Sequence, residues 1–237
     1  MDKVKTAIIL CAGKSKRYGV NKLNVKILGK TLPQRAVEFC IANGIERVFV
    51  TISKDQFSIT NGTEISHEVM DALKPYSYLT DIRFAFQKDD EYGPGAAIRP
   101  WLDEVHEPFV VLFGDNFYHG ELPDVPEGID CLVSYQDRGS SPRNLQLAVI
   151  QDGIVIEKPH PFVKGMYFCG YVIFRPYPCQ KAMQNIRRSD RNEFEITDLI
   201  NATEDREFVE NDLLWGDITY IGDEEKIAEL IKGNELE

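Results

Sequence analysis

Along the first half of the chain, short apolar runs rich in β-branched residues alternate with segments of helical period. Residues 6–10, 47–52, 82–86 and 109–113 read as buried strands, and 25–28 as a shorter one. Between them, 31–43 has Leu32, Ala36, Phe39 and Cys40 at helical spacing, with Gly44 as its stop. Residues 64–73, ended by Pro75, and 95–105, with Pro94 near the first turn, read as two more helices. Beyond Gly120 the texture changes. Strands are expected at 131–135, 145–150, 154–156 and 167–174, with Asp152-Gly153 as a hairpin turn. Helices follow at 179–187 and 196–202, then a last strand at 215–221 and a closing helix at 224–231. The alternating first half implies a mainly parallel sheet to which the second half adds antiparallel strands, an α/β class built as one three-layer domain over residues 1–237.

Composition narrows the class of function. The 237 residues are 43% hydrophobic and 27% charged, ordinary for a soluble globular protein with a sizeable core. No apolar run approaches a membrane span and the start, Met1-Asp2-Lys3, is polar, so a soluble, cytoplasmic protein is expected. A net charge of -11 argues against nucleic-acid binding as the main role. The five cysteines (Cys11, Cys40, Cys131, Cys169 and Cys179) form no CxxC pair and lie largely in apolar runs, which predicts buried free thiols. Lys3, Lys5, Lys14, Lys16, Arg17, Lys22, Lys26, Lys30 and Arg35 crowd the start of the chain. Such a run reads either as a solvated basic face or as a local site for an anionic small substrate.

The first strand empties into Ala12-Gly13-Lys14-Ser15-Lys16-Arg17-Tyr18-Gly19, and a Gly-containing basic loop at a strand end can offer backbone N–H groups and cations to phosphate. It is neither a Walker loop nor a G-x-G-x-x-G dinucleotide fingerprint. Asp115, in Phe113-Gly114-Asp115-Asn116, follows a buried strand at the end where open α/β sheets place ligands, though the same residues are good turn formers.

These strings resemble those of the sugar-1-phosphate nucleotidyltransferases. Leu10-Cys11-Ala12-Gly13-x-Ser15-x-Arg17-Tyr18-Gly19-x-x-Lys22 is similar to the family's nucleotide signature, with Cys11 and Asn21 as departures. Gly114-Asp115-Asn116-x-Tyr118-x-Gly120 is similar to a run of the glucose-1-phosphate thymidylyltransferases. Gln87 with Gly93-Pro94-Gly95-Ala96-Ala97 resembles the base pocket, with one extra spacer residue within 88–92. Glu157-Lys158-Pro159, Phe168-Cys169-Gly170-Tyr171 and Arg191-Asn192-Glu193-x-Glu195-Ile196-Thr197-Asp198 resemble the sugar-phosphate motifs. Trp215-Gly216-Asp217 resembles W-x-D, although the usual Gly-Thr after it is missing. Gln146 stands where the thymidylyltransferases carry glycine under the sugar.

The resemblance implies a Rossmann-like nucleotidyltransferase domain with a nucleotide-binding part over about 1–120 and a sugar-phosphate-binding part over about 121–237. It implies condensation of a nucleoside triphosphate, dTTP or UTP, with a sugar 1-phosphate to give an NDP-sugar and pyrophosphate. Arg17 and Lys22 are then the catalytic cations, and Leu10, Ala12, Gly13, Gln87, Gly93 and Asp115 bind nucleotide. Glu157, Lys158, Gly170 and Arg191 bind the sugar phosphate, and Asp115 and Asp217 hold Mg²⁺. Multimers are common in that family, which makes a homo-oligomer an expectation too. Two other readings share the pattern: a cytidylyltransferase with another phosphorylated acceptor, and a non-catalytic nucleotide-sugar-binding relative. His119 and His160 are expected in surface turns.

Overall fold

The computed structural model describes residues 1–13, 18, 21–54, 57–60, 64–88, 90–138, 147–158 and 165–234. The first part comprises β1 (Thr6–Cys11), β2 (Lys26–Ile27), β3 (Lys30–Thr31), α1 (Leu32–Ala42), β4 (Arg47–Ile52), β5 (Phe57–Thr60), β6 (Glu64–His67), α2 (Glu68–Leu73), β7 (Asp81–Phe86), β8 (Phe109–Phe113) and β9 (Asn116–His119). The second comprises β10 (Cys131–Arg138), β11 (Val149–Gln151), β12 (Ile154–Ile156), β13 (Gly165–Phe174), α3 (Pro176–Met183), α4 (Ile196–Ala202), β14 (Arg206–Glu210), β15 (Leu214–Asp217) and α5 (Asp223–Asn234).

The main sheet runs β12-β11-β13-β8-β1-β4-β7, with β10 also paired to β13 and β14 to β10. β1 lies parallel to both β4 and β8, and β4 parallel to β7. β13 joins antiparallel to β8, so one sheet carries residues from both halves of the chain. Alternation along β1 sends Ala7, Ile9 and Cys11 into a core shared with α1 and α2, and Ile8 into a second core shared with α3 and α4. The sheet is thus covered on both faces, in the three-layer α/β arrangement expected.

Local chemistry sets the element ends. Thr31 caps α1 in a reciprocal box with Gln34, and Pro33 occupies its first turn. Residues 64–73 do not form one helix: β6 pairs antiparallel with β5, and α2 begins only at Glu68 after a His67 cap. The expected helix over 95–105 is a 3-10 helix at Ala96–Trp101; it contains Pro100, whose ring in an α-helix would clash with the Ala96 carbonyl. The last strand stops at Asp217, because Asp223 takes the Thr219 and Tyr220 N–H groups at 3.1 and 2.8 Å. The expected strand at 145–150 is found only as Val149–Gln151 among described residues. α3 begins at Pro176, earlier than expected, and β9 and β14 were not anticipated. All five cysteines are free and buried, and no described helix is long and apolar enough to cross a membrane.

Candidate active site

The carboxyl ends of the neighbouring strands β1 and β8 open side by side. Gly114 N–H donates to the Leu10 carbonyl at 3.0 Å, and a Cβ on Gly114 would collide with Cys11 Sγ and stand 2.9 Å from that carbonyl. Glycine therefore permits the close approach that sets Asp115 over the end of β1. Burial, and then the Asp115 charge, push the Cys11 thiol far up, so it stays a neutral packing group.

β9 leaves Asp115 and pairs antiparallel with β15, which places Asp217 opposite Asn116. Ile218 N–H donates to the Asp115 carbonyl at 3.1 Å. Two side-chain bonds stiffen this ribbon: Asn116 Nδ2 donates to Asp115 Oδ1, and Trp215 Nε1 to Asn116 Oδ1, each at 2.8 Å. Lys22, at the start of the Lys22–Asn24 turn, is ion-paired with Asp115 Oδ2 and donates Nζ to the Ile218 carbonyl at 2.9 Å. Asn21 caps that turn by accepting from Leu23 N–H at 3.2 Å. Burial raises the Asp217 carboxyl above its ordinary range; a 2.6 Å bond from Thr219 Oγ1 works against this, and the Asp115 charge adds to the rise.

Two cavities meet here. One, of about 120 Å³, is lined by Leu10, Ala12, Gly13, Gln87 and Gly93; the other, of about 270 Å³, by Glu157, Lys158, Gly170, Arg191 and Asp217. Lys22, Pro94, Phe113, Asp115 and Glu193 line both. On the first side, Gln87 is buried, and its Nε2 donates to the Gly93 carbonyl at 2.8 Å. One N–H of the amide is thereby used, and the side chain still offers a ligand its oxygen as acceptor and its second N–H as donor. Gly93 sits at φ +116°, and a Cβ there would come within 2.5 Å of the Phe194 carbonyl, so glycine is required.

The second side is a network of charges. Glu157 Oε1 meets Lys158 Nζ at 2.7 Å and Arg191 at 2.9 Å, while Thr197 Oγ1 donates to Glu157 Oε2 at 3.4 Å. Arg191 also bridges to Glu195 at 2.8 Å, and Ser189 Oγ donates to the same carboxylate at 2.7 Å. Burial, then the charges of Glu195 and Glu157, push the nearby Asp198 carboxyl up. Gly170, at φ +88°, leaves room for Asn211 Nδ2, 2.5 Å from where a Cβ would stand.

The described site residues from the two halves of the sequence therefore converge on one cleft. Arg17, Gln146 and His160 lie outside the described residues. The basic start is not one site: Lys5 pairs with Glu46 at 2.7 Å and Lys30 with Glu38 at 2.6 Å on the surface, while Lys22 lines the cleft. His119 is exposed but lies in β9 rather than in a turn. Three residues take structural roles that the motifs did not assign. Thr219 stands where the resemblance expects glycine, and Asn116 lies within the Gly114-Asp115-Asn116 motif without a role given to it. Tyr18 is buried among Ile27, Ile227 and Ile231, with its hydroxyl bonded to Glu224, which ties Tyr18 to α5.

The donor set fits a hard divalent ion. Asp115 and Asp217 supply two carboxylates, and the described residues hold no group of three or more metal-ligating side chains. Two carboxylates alone suit Mg²⁺ that completes its shell with phosphate oxygens and water.

Residues 7–121 match the model of the MobA-like NTP transferase domain. Over 158 residues the chain is 28% identical to a UTP–glucose-1-phosphate uridylyltransferase of Staphylococcus epidermidis, covering 60% of this chain and 54% of that one. It thus spans about half the length of the curated relatives it matches. A Bacillus anthracis structure assigned as a glucose-1-phosphate thymidylyltransferase superposes with a TM-score of 0.76 at 18% identity, covering 95% of this chain and 94% of that one. The fold is that of the nucleotidyltransferases. An inositol-1-phosphate CTP transferase from T. maritima shares this nucleotidyltransferase fold with a TM-score of 0.74 at 14% identity, over 97% of this chain and 96% of that one. The resemblance read in the motifs holds, and the model match covers the part that carries the smaller cavity.

Proposed function

We propose that this chain is a cytoplasmic, single-domain nucleotidyltransferase that condenses dTTP or UTP with a sugar 1-phosphate to give an NDP-sugar and pyrophosphate. One observation carries the reading: a backbone-lined cavity and a charged cavity meet at Lys22 and Asp115, with Asp217 alongside. An oxygen of the sugar phosphate attacks the α-phosphorus in line, the bond to the β-phosphate oxygen breaks, and pyrophosphate leaves. That oxygen is already mostly ionised near neutrality, with a second pKa of about 6, so no general base is needed.

The side chains then divide the work. Lys22 supplies positive charge where the two anions meet, and Arg17 is assigned to the leaving phosphates. Leu10, Ala12 and Gly13 flank the nucleotide. Arg191 and Lys158 hold the acceptor phosphate, Glu157 accepts from sugar hydroxyls, and Gly170 forms part of the wall beneath them. Mg²⁺ held by Asp115 and Asp217 would offset phosphate charge when bound. Uracil and thymine present an N3–H donor, whereas cytosine presents a lone pair there. Gln87 can serve either edge, its oxygen accepting from uracil or thymine N3–H and its second Nε2–H donating to cytosine N3, so the preference for UTP or dTTP is supported by the likeness to uridylyl- and thymidylyltransferases.

The fold likeness to a CTP transferase makes CTP with another phosphorylated acceptor the rival reading. Pyrophosphate release measured over four nucleoside triphosphates and a panel of sugar 1-phosphates tests both. Release that requires both substrates and a divalent ion, with UTP or dTTP, is expected. Turnover confined to CTP would establish the rival, and nucleotide binding without turnover by any pair would overturn catalysis.

A further inference from the structure

Outside the cleft, an open groove of about 920 Å³ runs between the 3-10 helix at Ala96–Trp101, the end of α3 and Phe194, and shares no lining residue with either cavity. Arg99, Arg187 and Arg188 line it against one carboxylate, Asp103, in a chain of net charge -11. Arg99 is ion-paired with Glu91 at 3.1 Å. The other two guanidinium groups bond only to neutral acceptors. Arg187 donates to the carbonyls of Gln184, Asn185 and Ile186 at 3.2–3.5 Å, which anchors it at the end of α3. Arg188 donates to Asn192 Oδ1 at 3.2 Å and to the Asp90 carbonyl. Neither has a carboxylate partner among the described residues. Arg99 and Arg188 moreover stand over one ring, 4.5 and 5.2 Å from the Phe194 centroid. The ring quadrupole attracts each cation; Glu91 offsets the charge of Arg99, which leaves Arg188 as the guanidinium at this ring with no carboxylate partner among the described residues.

We propose that this groove binds a small ligand with a phosphate group and an apolar body. The planar donor forks of Arg187 and Arg188 suit phosphate oxygens, and Met183 and Ile186 offer apolar surface beside them. Binding is transmitted to the nucleotide cavity through Phe194. Its N–H donates to the Tyr92 carbonyl and its carbonyl accepts from Gly95 N–H, both at 2.8 Å. A Cβ on Gly93 or Gly95 would meet the backbone of Phe194 or Glu195 within 2.8 Å, so the two segments have no slack between them. The site stands independently of the proposed reaction, because its test reads binding rather than turnover.

Amide NMR spectra of the full chain, titrated with phenyl phosphate and separately with inorganic phosphate, provide that test. Phenyl phosphate should give saturable shifts at Arg187, Arg188 and Phe194 that extend to Tyr92 and Gly95, and should bind more tightly than inorganic phosphate. The Arg187→Ala/Arg188→Ala double variant should weaken this binding about tenfold or more, as expected when two charge-assisted hydrogen bonds are lost. Arg187→Gln, which keeps a donor for the Gln184, Asn185 and Ile186 carbonyls, should weaken it several-fold and covers the case of a double variant that does not fold. Shifts confined to the cleft around Lys22 and Arg191, or unchanged affinity in the variants, would overturn the site. Equal affinity for the two probes would overturn the apolar half of the assignment.

Discussion

The two cavities that share Lys22 and Asp115 are built from different materials. The side proposed for the nucleotide uses strand ends, glycines and one buried amide: Leu10, Ala12, Gly13, Gly93 and Gln87. The side proposed for the acceptor uses a net of ion pairs in which Glu157 and Glu195 hold Arg191 between them and Lys158 also pairs with Glu157. On the proposed reading, backbone and glycine would recognise what every nucleoside triphosphate shares, while a charge net can be re-tuned one side chain at a time. The domain model covers 7–121, the backbone-built side. Substitutions should therefore act differently on the two sides, and most strongly where the sides join.

At the join, Asp115→Asn and Lys22→Ala should each lower turnover by about 10² or more, the scale of removing one electrostatic contact to a transition state. Steady-state pyrophosphate release checks this, and near-normal turnover in both variants would remove the join from the chemistry. One step smaller, Arg191→Gln should raise the KM for the sugar phosphate by about tenfold while leaving that for the nucleotide nearly unchanged, since a charge-assisted bond contributes about 1.5–3 kcal/mol. Equal rises in both constants would dissolve the distinction between the sides. On the backbone-built side, Gln87→Met should raise the KM for UTP by up to about tenfold, the loss of one hydrogen bond to the base, and leave that for the sugar phosphate nearly unchanged. Titration of UTP at saturating sugar phosphate reads this out directly.

The smallest effect lies outside the cleft and serves as its control. Burial pushes the Glu107 carboxyl up, but bonds from Arg47 at 2.6 Å and Thr6 at 3.0 Å outweigh it and hold the group below its ordinary range. A depressed folded-state value contributes stability that is present above the unfolded value and is lost as pH falls through the folded one. Glu107→Gln should therefore lower the urea midpoint slightly at neutral pH. That deficit should shrink below the carboxylate range, with no change in either KM.

Much of this was legible in the chain because local signals and tertiary demands agree. α4 falls at Ile196–Ala202 as its spacing predicts, and the Thr31–Gln34 box fixes the start of α1. Asp115 could be found because a buried apolar strand runs straight into it. Where pairing is long-range, the local pattern misleads. Residues 64–67 have helical spacing yet pair with β5. β14 is bracketed by charged residues, and its strand character comes from a parallel partner, β10, more than 65 positions earlier. Gly114-Asp115-Asn116 reads as a turn, and it is one, but Asn116 also opens the ribbon that carries Asp217 to Asp115. Asp217 itself was legible as a motif; its hold by Thr219 was not, since it depends on the chain stopping short of a longer strand to let Asp223 cap the turn.

The most direct test of two substrates meeting at Lys22 and Asp115 is phosphorus NMR of one reaction mixture with UTP, glucose 1-phosphate and Mg²⁺, run for the wild-type chain and for Asp115→Asn. The account predicts equal amounts of a nucleotide-sugar diphosphate and pyrophosphate from the wild type, none when either substrate is omitted, and product slowed by about 10² or more in the variant. Orthophosphate or UMP formed from UTP alone, or equal rates in the two proteins, would contradict it.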